Sequence, residues 1–273
     1  MNSDIGVVVT NKVQREIVGV LKKKGVSCMG IDTFDEKNTK EFFSSCKKIV
    51  LPFPSTRSNI AFLPQAKSLS EYLSKDNIVF CGMISNNLKD EMKLSEMKYY
   101  DYFENEAYVL KNAQLTSQGA VRLLLENTNE FLVSKKALVT GFGRIGKSLA
   151  FLLKSLGIKV FIAARREEAA VEASAFGFEV ISFSALKGAM FYFDFIFNTV
   201  PSAVFSYRDI AHINDGSIYF ELASDPFGAE KKSFELLGKK YVHGGALPGK
   251  FYPSAVAQNI VDFILLNAGE FNE

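Results

Sequence analysis

The chain has 273 residues, 48% of them hydrophobic, and 32 basic against 30 acidic side chains leave a formal charge of +2. That length supports a full core in one large or two modest domains, and so even a charge balance argues against a general nucleic-acid or membrane-surface binder. Cys28, Cys46 and Cys81, odd in number and without CxxC spacing, argue against a disulfide framework or a metal site and for a reducing compartment.

The opening MNSDIGVVVTNK has no basic region ahead of an apolar core, so it reads as a buried first strand and not as a signal peptide. The longest apolar runs, such as Phe191–Val200, are too short to span a bilayer and carry Asp194. A cytoplasmic protein is expected. Ile5–Val9 is β-branched and apolar, and Val13–Lys24 follows with helical spacing. Lys47–Leu51 and Asn77–Cys81 read as further buried strands, each ending in a loop rich in Pro, Gly, Ser or Asn. This alternation predicts a parallel α/β layer over residues 1–113.

Thr116-Ser117 predicts a cap ahead of a helix at Gly119–Glu130, with Val121, Leu124 and Leu125 on its apolar face. Residues 114–133 are thus expected to link the first domain to a second over 134–250. There Lys136–Thr140 reads as a strand and Ile145–Leu156 as a helix, with Leu149, Leu152, Leu153 and Leu156 at helical spacing and Gly157 at its C-terminal end. Lys159–Ala163, Phe178–Ile181, Asp194–Thr199, Ser217–Leu222 and Lys240–His243 continue the strands. Pro253 and Ser254 suit a helix start, and Val256, Ile260, Phe263 and Ile264 carry its spacing onward. The expected fold is α/β with two α/β domains. The second is a Rossmann-type doubly wound parallel sheet, and a C-terminal helix at 253–267 packs back on the first.

Gly141-Phe142-Gly143-Arg144-Ile145-Gly146 is a GxGxxG segment. Alone it is weak, but it follows a predicted strand and opens an amphipathic helix, with another strand one βαβ length on. Gly141 suits the sharp turn, Gly143 a close approach of backbone to pyrophosphate, and Gly146 close helix–strand packing. The next strand ends in Ala163-Ala164-Arg165-Arg166, where an NAD-binding fold usually places an acid for the ribose hydroxyl. Guanidinium there favours the 2′-phosphate of NADP over NAD. The alternative is solvated arginines paired with Glu167 and Glu168. Asn198-Thr199-Val200-Pro201 and Leu222-Ala223 lie in loops at C-terminal strand ends, where such sheets bind ligands. Ordinary turn chemistry is the other reading of both loops.

Ala137–Gly146, the loop beginning NTVPS, ELASDPFG at 221–228 and ALPGKFYP at 246–253 together resemble the family of dipicolinate synthase A subunits. LPFPST at 51–56, GMISNN at 82–87, and Asn112, Thr116 and Gly119 add weaker matches. The resemblance implies a two-domain NAD(P)-dependent dehydrogenase of sporulating bacteria that works with a flavoprotein-like B subunit. The implied reaction converts a dihydro- or tetrahydrodipicolinate intermediate of lysine synthesis into dipicolinate, pyridine-2,6-dicarboxylate. Self-association is left open. The chain departs from the family at Val9–Val13, where a glycine-rich acidic turn is usual, at Gln118 for Glu, and at Ser254 for Lys.

A small ring with two carboxylates needs cations or N–H groups to hold it. On that reading Ser55, Thr56, Arg57, Ser85, Asn86 and Lys250 are the substrate-side candidates. His243, ending a predicted strand before Gly244-Gly245, is the candidate proton acceptor; a structural or solvated histidine is its plain alternative. No nucleophilic or metal-ligand pattern is visible. A non-catalytic NADP(H)-binding regulatory subunit, and another two-domain dehydrogenase of the shikimate or methylene-tetrahydrofolate type, remain as competing readings.

Overall fold

The structure, a computed structural model, describes residues 3–56, 69–186 and 188–268. Its contacts fall into two compact units, Met1–Asn112 with Tyr252–Glu273, and Ala113–Phe251.

In the first unit β1 (Ser3–Val8), β2 (Cys28–Ile31), β3 (Cys46–Val50), β4 (Ile78–Cys81) and β5 (Lys98–Asp101) form a parallel sheet in the order β2-β1-β3-β4-β5. Val7, Val8, Ile49, Val50, Val79 and Phe80 are fully buried at its centre. The helix Lys12–Lys23 turns Ile17 and Leu21 inward, and Glu36–Ser45 starts where Asp35 accepts the Asn38 N–H at 2.8 Å. Sequence periodicity did not reveal β2, β5 or the helices Glu36–Ser45 and Asn86–Leu94. The two strands are the sheet's edges, only four residues each; β2 is largely unburied and interrupted by Gly30, and β5 opens and closes on the charged Lys98 and Asp101.

The C-terminal helix, Pro253–Ala268, packs on the first unit as expected. Val256, Ile260, Phe263 and Ile264 are all buried. Phe263 meets Tyr102 and Phe80 edge-on at centroid distances of 6.2 and 6.4 Å. Lys24–Asp262 and Ser254–Glu16 contacts, at 3.4 and 3.0 Å, tie the rim. Ser254 therefore holds the C-terminal helix to the first long helix.

The helix predicted to begin at Thr116-Ser117 runs instead from Glu106 to Asn127. Its cap is Asn105, which accepts the Tyr108 N–H at 2.9 Å. Thr116 and Ser117 lie mid-helix and are buried; Ser117 returns its hydroxyl to the Ala113 carbonyl at 2.9 Å, the way a helix absorbs a serine that sequence alone reads as a cap. Ala120, Leu123 and Leu124 form the buried face, and Leu125 is 56% exposed.

In the second unit β6 (Lys136–Thr140), β7 (Lys159–Ala163), β8 (Glu179–Val180), β9 (Phe195–Asn198), β10 (Ile218–Glu221) and β11 (Lys240–His243) are all parallel, in the order β11-β10-β9-β6-β7-β8. Counted within the unit this is 3-2-1-4-5-6, the doubly wound dinucleotide-binding order. The helix Arg144–Ser155 buries Gly146, Leu149, Ala150 and Leu153. Leu156 is its C-cap and is exposed, so the inward stripe lies one step from the predicted one. Phe197 and Phe220 stack at 4.6 Å in the core of the sheet. Among the described residues no helix is long and apolar enough to cross a membrane.

Candidate functional site

The strand order changes direction between β6 and β9. Ligands of open α/β sheets bind outside the C-terminal strand ends at such a point. The turn after β6 is built for close approach. Gly141 has a φ of 86°, and a Cβ there would lie 2.8 Å from Thr199 Oγ1. A Cβ on Gly146 would meet the Gly141 carbonyl oxygen at 2.2 Å, so helix and turn touch only because Gly146 lacks a side chain. Gly143, by contrast, has no described atom within 4 Å of that position. It is also the N-cap of the helix Arg144–Ser155 and makes no side-chain cap bond. The positive helix end is therefore left for an anion over Gly143.

Phe142 is buried against Phe178 and Phe176, at 5.7 and 6.4 Å. Only its backbone belongs to the turn. The Ile145 carbonyl accepts the Ser117 hydroxyl at 3.2 Å.

β7 lies beside this turn, because the Gly141 N–H donates to the Ala163 carbonyl at 2.8 Å. Ala164 is half-buried, and Arg165 and Arg166 follow it exposed. Neither guanidinium forms an ion pair or hydrogen bond with a described residue, Glu167 and Glu168 included. These two acids sit in the first turn of the helix Glu167–Ala175, where the helix end favours them. The pairing that would have neutralised the arginines does not form.

The ends of β9 and β10 hold a buried network whose hub, Glu221, opens the ELASDPFG segment but was not named as a site residue from the sequence. Glu221 ends β10 and is 0% exposed. Its Oε1 accepts Asn198 Nδ2 at 2.7 Å and the Ala223 N–H at 3.1 Å. Its Oε2 accepts the Tyr219 hydroxyl and the Gly228 N–H, both at 2.9 Å. Burial, and after it the Glu221 charge, pushes the Tyr219 phenol well above its usual range, so it stays a donor. Asn198 in turn accepts the Thr140 hydroxyl at 2.5 Å and the Val200 N–H at 3.2 Å. Thr199 donates to the Thr140 carbonyl at 2.7 Å. Asn198 and Thr199 are thus joined to the phosphate turn. Val200 is half-buried and Pro201 exposed, while the Leu222 and Ala223 side chains are buried in the core, so that only their backbone can line a ligand. A lone acid at the end of the apolar run Ile218-Tyr219-Phe220 was the signal that could have found Glu221.

His243 is exposed at the end of β11, edge-on to Phe227 at 5.5 Å. Lys250 is exposed in the short helix Leu247–Phe251, its ammonium 4.9 Å from the Phe251 ring centre.

The remaining substrate-side candidates belong to the first unit, where the ends of β3 and β4 are cross-tied. Ser55 is fully buried; its hydroxyl donates to the Pro52 carbonyl at 2.7 Å and accepts the Gly82 N–H at 3.2 Å. Its N–H bonds the Gly82 carbonyl at 2.8 Å, and its carbonyl accepts the Ser85 N–H at 3.1 Å. Ser55 and Ser85 are therefore brought together, with Ser55 as scaffold and not as an open ligand group. Ser85 caps the helix Asn86–Leu94, its hydroxyl buried without a hydrogen-bond partner among the described residues; Asn86 is exposed beside it. Thr56 is half-buried, and Arg57 lies outside the described residues. Asp101, also missed from sequence, holds this loop by accepting the Met83, Ile84 and Phe103 N–H groups at 3.1, 2.9 and 2.8 Å.

Residues 109–223 match the family described as D-isomer specific 2-hydroxyacid dehydrogenase, NAD binding domain. The chain is similar to the A subunit of dipicolinate synthase from Bacillus subtilis (strain 168), with 22% identity over 230 residues, 81% of this chain and 77% of that protein. The crystal structure of the corresponding dipicolinate synthase protein from Bacillus halodurans superimposes with a TM-score of 0.81 at 22% identity, covering 99% of each chain. That of the Bacillus subtilis protein does so with 0.80 at 20% identity, covering 98% of this chain and 97% of the other. The resemblance drawn from the motifs is borne out, and with it the two-domain dehydrogenase fold. The matched domain supports a nicotinamide cofactor and an NAD(P)-linked, oxidoreductase-like role.

Proposed function

We propose that this chain is the NADP-binding component of an oxidoreductase that makes dipicolinate, acting in the cytoplasm during sporulation with a flavoprotein-like partner. The observation that carries the cofactor is the pair Arg165-Arg166, exposed and unpaired among the described residues at the end of β7, next to the glycine turn. A 2′-phosphate would complete both cations there, whereas a ribose hydroxyl would give them no charge to meet. The substrate comes from the similarity to the A subunit of dipicolinate synthase.

A dihydrodipicolinate ring becomes the aromatic pyridine by losing a hydride and a proton. NADP, when bound, supplies the hydride acceptor. The open helix end at Gly143 would hold its pyrophosphate. The loops after β9 and β10 would set the ring against the substrate. Aromatisation supplies driving force, so positioning and proton removal are what remain for the protein. His243, exposed at the end of β11, is the proton acceptor in this reading.

The test is an absorbance assay for pyridine-2,6-dicarboxylate with NADP or NAD, with and without the flavoprotein-like partner. Dipicolinate formed with equal NADPH is expected. Cofactor binding without product under either condition would leave a regulatory NADP(H) module in its place.

A further inference from the structure

We infer that Glu221 is the positioning residue of the nicotinamide half of the site, holding the loops after β9 and β10 as one tied unit. The inference rests on the nucleotide-binding reading above.

A doubly wound sheet binds a dinucleotide as two mononucleotide halves. The glycine turn and the β7 arginines belong to the β6-β7-β8 half, so the nicotinamide half falls to the ends of β9, β10 and β11. Glu221 stands at that level and is the hub of its bonding. Its carboxylate draws donors from three places: Tyr219 on its own strand, Asn198 at the end of β9, and Ala223 and Gly228 in the loop that follows β10. The Ala223 and Gly228 bonds make residues 222–228 close back over the acid that precedes them. Gly228 extends the tie, since its carbonyl accepts the Val204 and Phe205 N–H groups at 2.7 and 2.9 Å. Asn198 carries it in the other direction, through Thr140 to the phosphate turn. Backbone and carboxamide N–H groups can only donate, so an acid, with acceptors alone, is the side chain that satisfies all of them.

The arrangement is costly to keep. Burying a carboxylate with no cation among its partners loses hydration that hydrogen bonds only offset. An apolar side chain would fill the same place without that loss. The close fit also demands glycine at 228, because a Cβ there would lie 2.3 Å from Asn198 Nδ2. Such groups are retained where they fix geometry. Here the fixed geometry is that of Val200 to Ser202 and Ser224 to Phe227, the solvent-facing stretches of the two loops.

The test is calorimetric titration of Glu221→Gln with NADP and with adenosine 2′,5′-bisphosphate, which carries only the adenine half. Gln turns an N–H toward the N–H donors and unties the loops. NADP is expected to weaken at least about tenfold, while the bisphosphate stays within about twofold of wild type. Unchanged NADP binding, or equal loss of both ligands in a folded variant, overturns the positioning role. A wild-type protein that binds neither ligand refutes the nucleotide reading itself. If Glu221→Gln does not fold, Gly228→Ala breaks the same tie from the other side, and the same pair of titrations decides.

Discussion

Replacing Arg165 by Asp together with Arg166 by Ala tests the cofactor directly. In the free protein neither guanidinium has a described partner, so no ion pair must break before a phosphate binds. Each hydrogen bond to a charged group is worth about 1.5–3 kcal/mol, and two bonds at the lower value would give about 3 kcal/mol, or roughly 150-fold. Both side chains are exposed, so water and salt reduce that figure. Halving it for screening leaves about 1.5 kcal/mol, an order of magnitude in NADP affinity. NAD lacks the phosphate, and Asp at 165 offers its ribose an acceptor. The NADP/NAD affinity ratio is therefore expected to fall at least about tenfold. It should also flatten with salt, because the wild-type preference is electrostatic. Isothermal titration of both nucleotides at low and moderate salt reads these quantities. An unchanged ratio, or equal losses for the two nucleotides, would refute the assignment of the arginines.

Other perturbations probe the frame around the site. Gly146→Ala drives a Cβ into the Gly141 carbonyl at 2.2 Å; a loss of about 1–3 kcal/mol in urea unfolding is expected, with nucleotide binding lost alongside. Leu153→Ala empties a fully buried place in the core under β6 and is expected to cost about 2–5 kcal/mol by the same measurement, without touching the ligand. Burial pushes the Cys46 thiol up to about 11 from 9.0. Unfolded chains then release that proton before folded ones do, so stability is level below pH 9 and falls between about pH 9 and 11, by roughly 2–3 kcal/mol from this group alone. Cys46→Ala should shallow that alkaline slope; an unchanged slope would show that the thiol does not report burial.

The sequence was most readable where burial repeats with a regular period. In the C-terminal helix the spacing marks four of the buried residues and leaves out Ala257 and Val261, which are fully buried beside them. The central strands were equally plain, being continuous apolar runs closed by turn residues. Thr116-Ser117 misled because the same hydroxyl that caps a helix can fold onto its own backbone inside one. β8 shrank to Glu179–Val180 because an edge strand with both residues exposed has little to hold it longer. Asp101 and Glu221 stayed hidden for a different reason. Each binds, besides N–H groups of its own loop, donors that come near only after the chain has folded, Met83 and Ile84 for one and Asn198 for the other. A lone acid closing an apolar run is the one trace the sequence keeps of Glu221.

The two units repeat one local plan, strand, turn, helix, yet only one of the two turns is open to phosphate, and the cap residue decides which. After β1, Asn11 accepts the Val13 N–H at 2.9 Å, and Gln14 accepts the Asn11 N–H at 3.1 Å. That reciprocal box satisfies within the chain donors that an anion would otherwise claim. It closes the helix end at Lys12. After β6 the cap is Gly143, which has no side chain to make such a bond and no described atom over its Cβ position. The donors of that helix end are left for a ligand, and the room for it is already there. A protein that carried Asn at 143 would supply its own acceptor to the helix and crowd the approach. Gly143→Asn is therefore expected to weaken NADP and NAD alike while leaving their ratio as in wild type, the converse of the arginine exchange. A shift in that ratio would mean that the pyrophosphate does not lie over this turn.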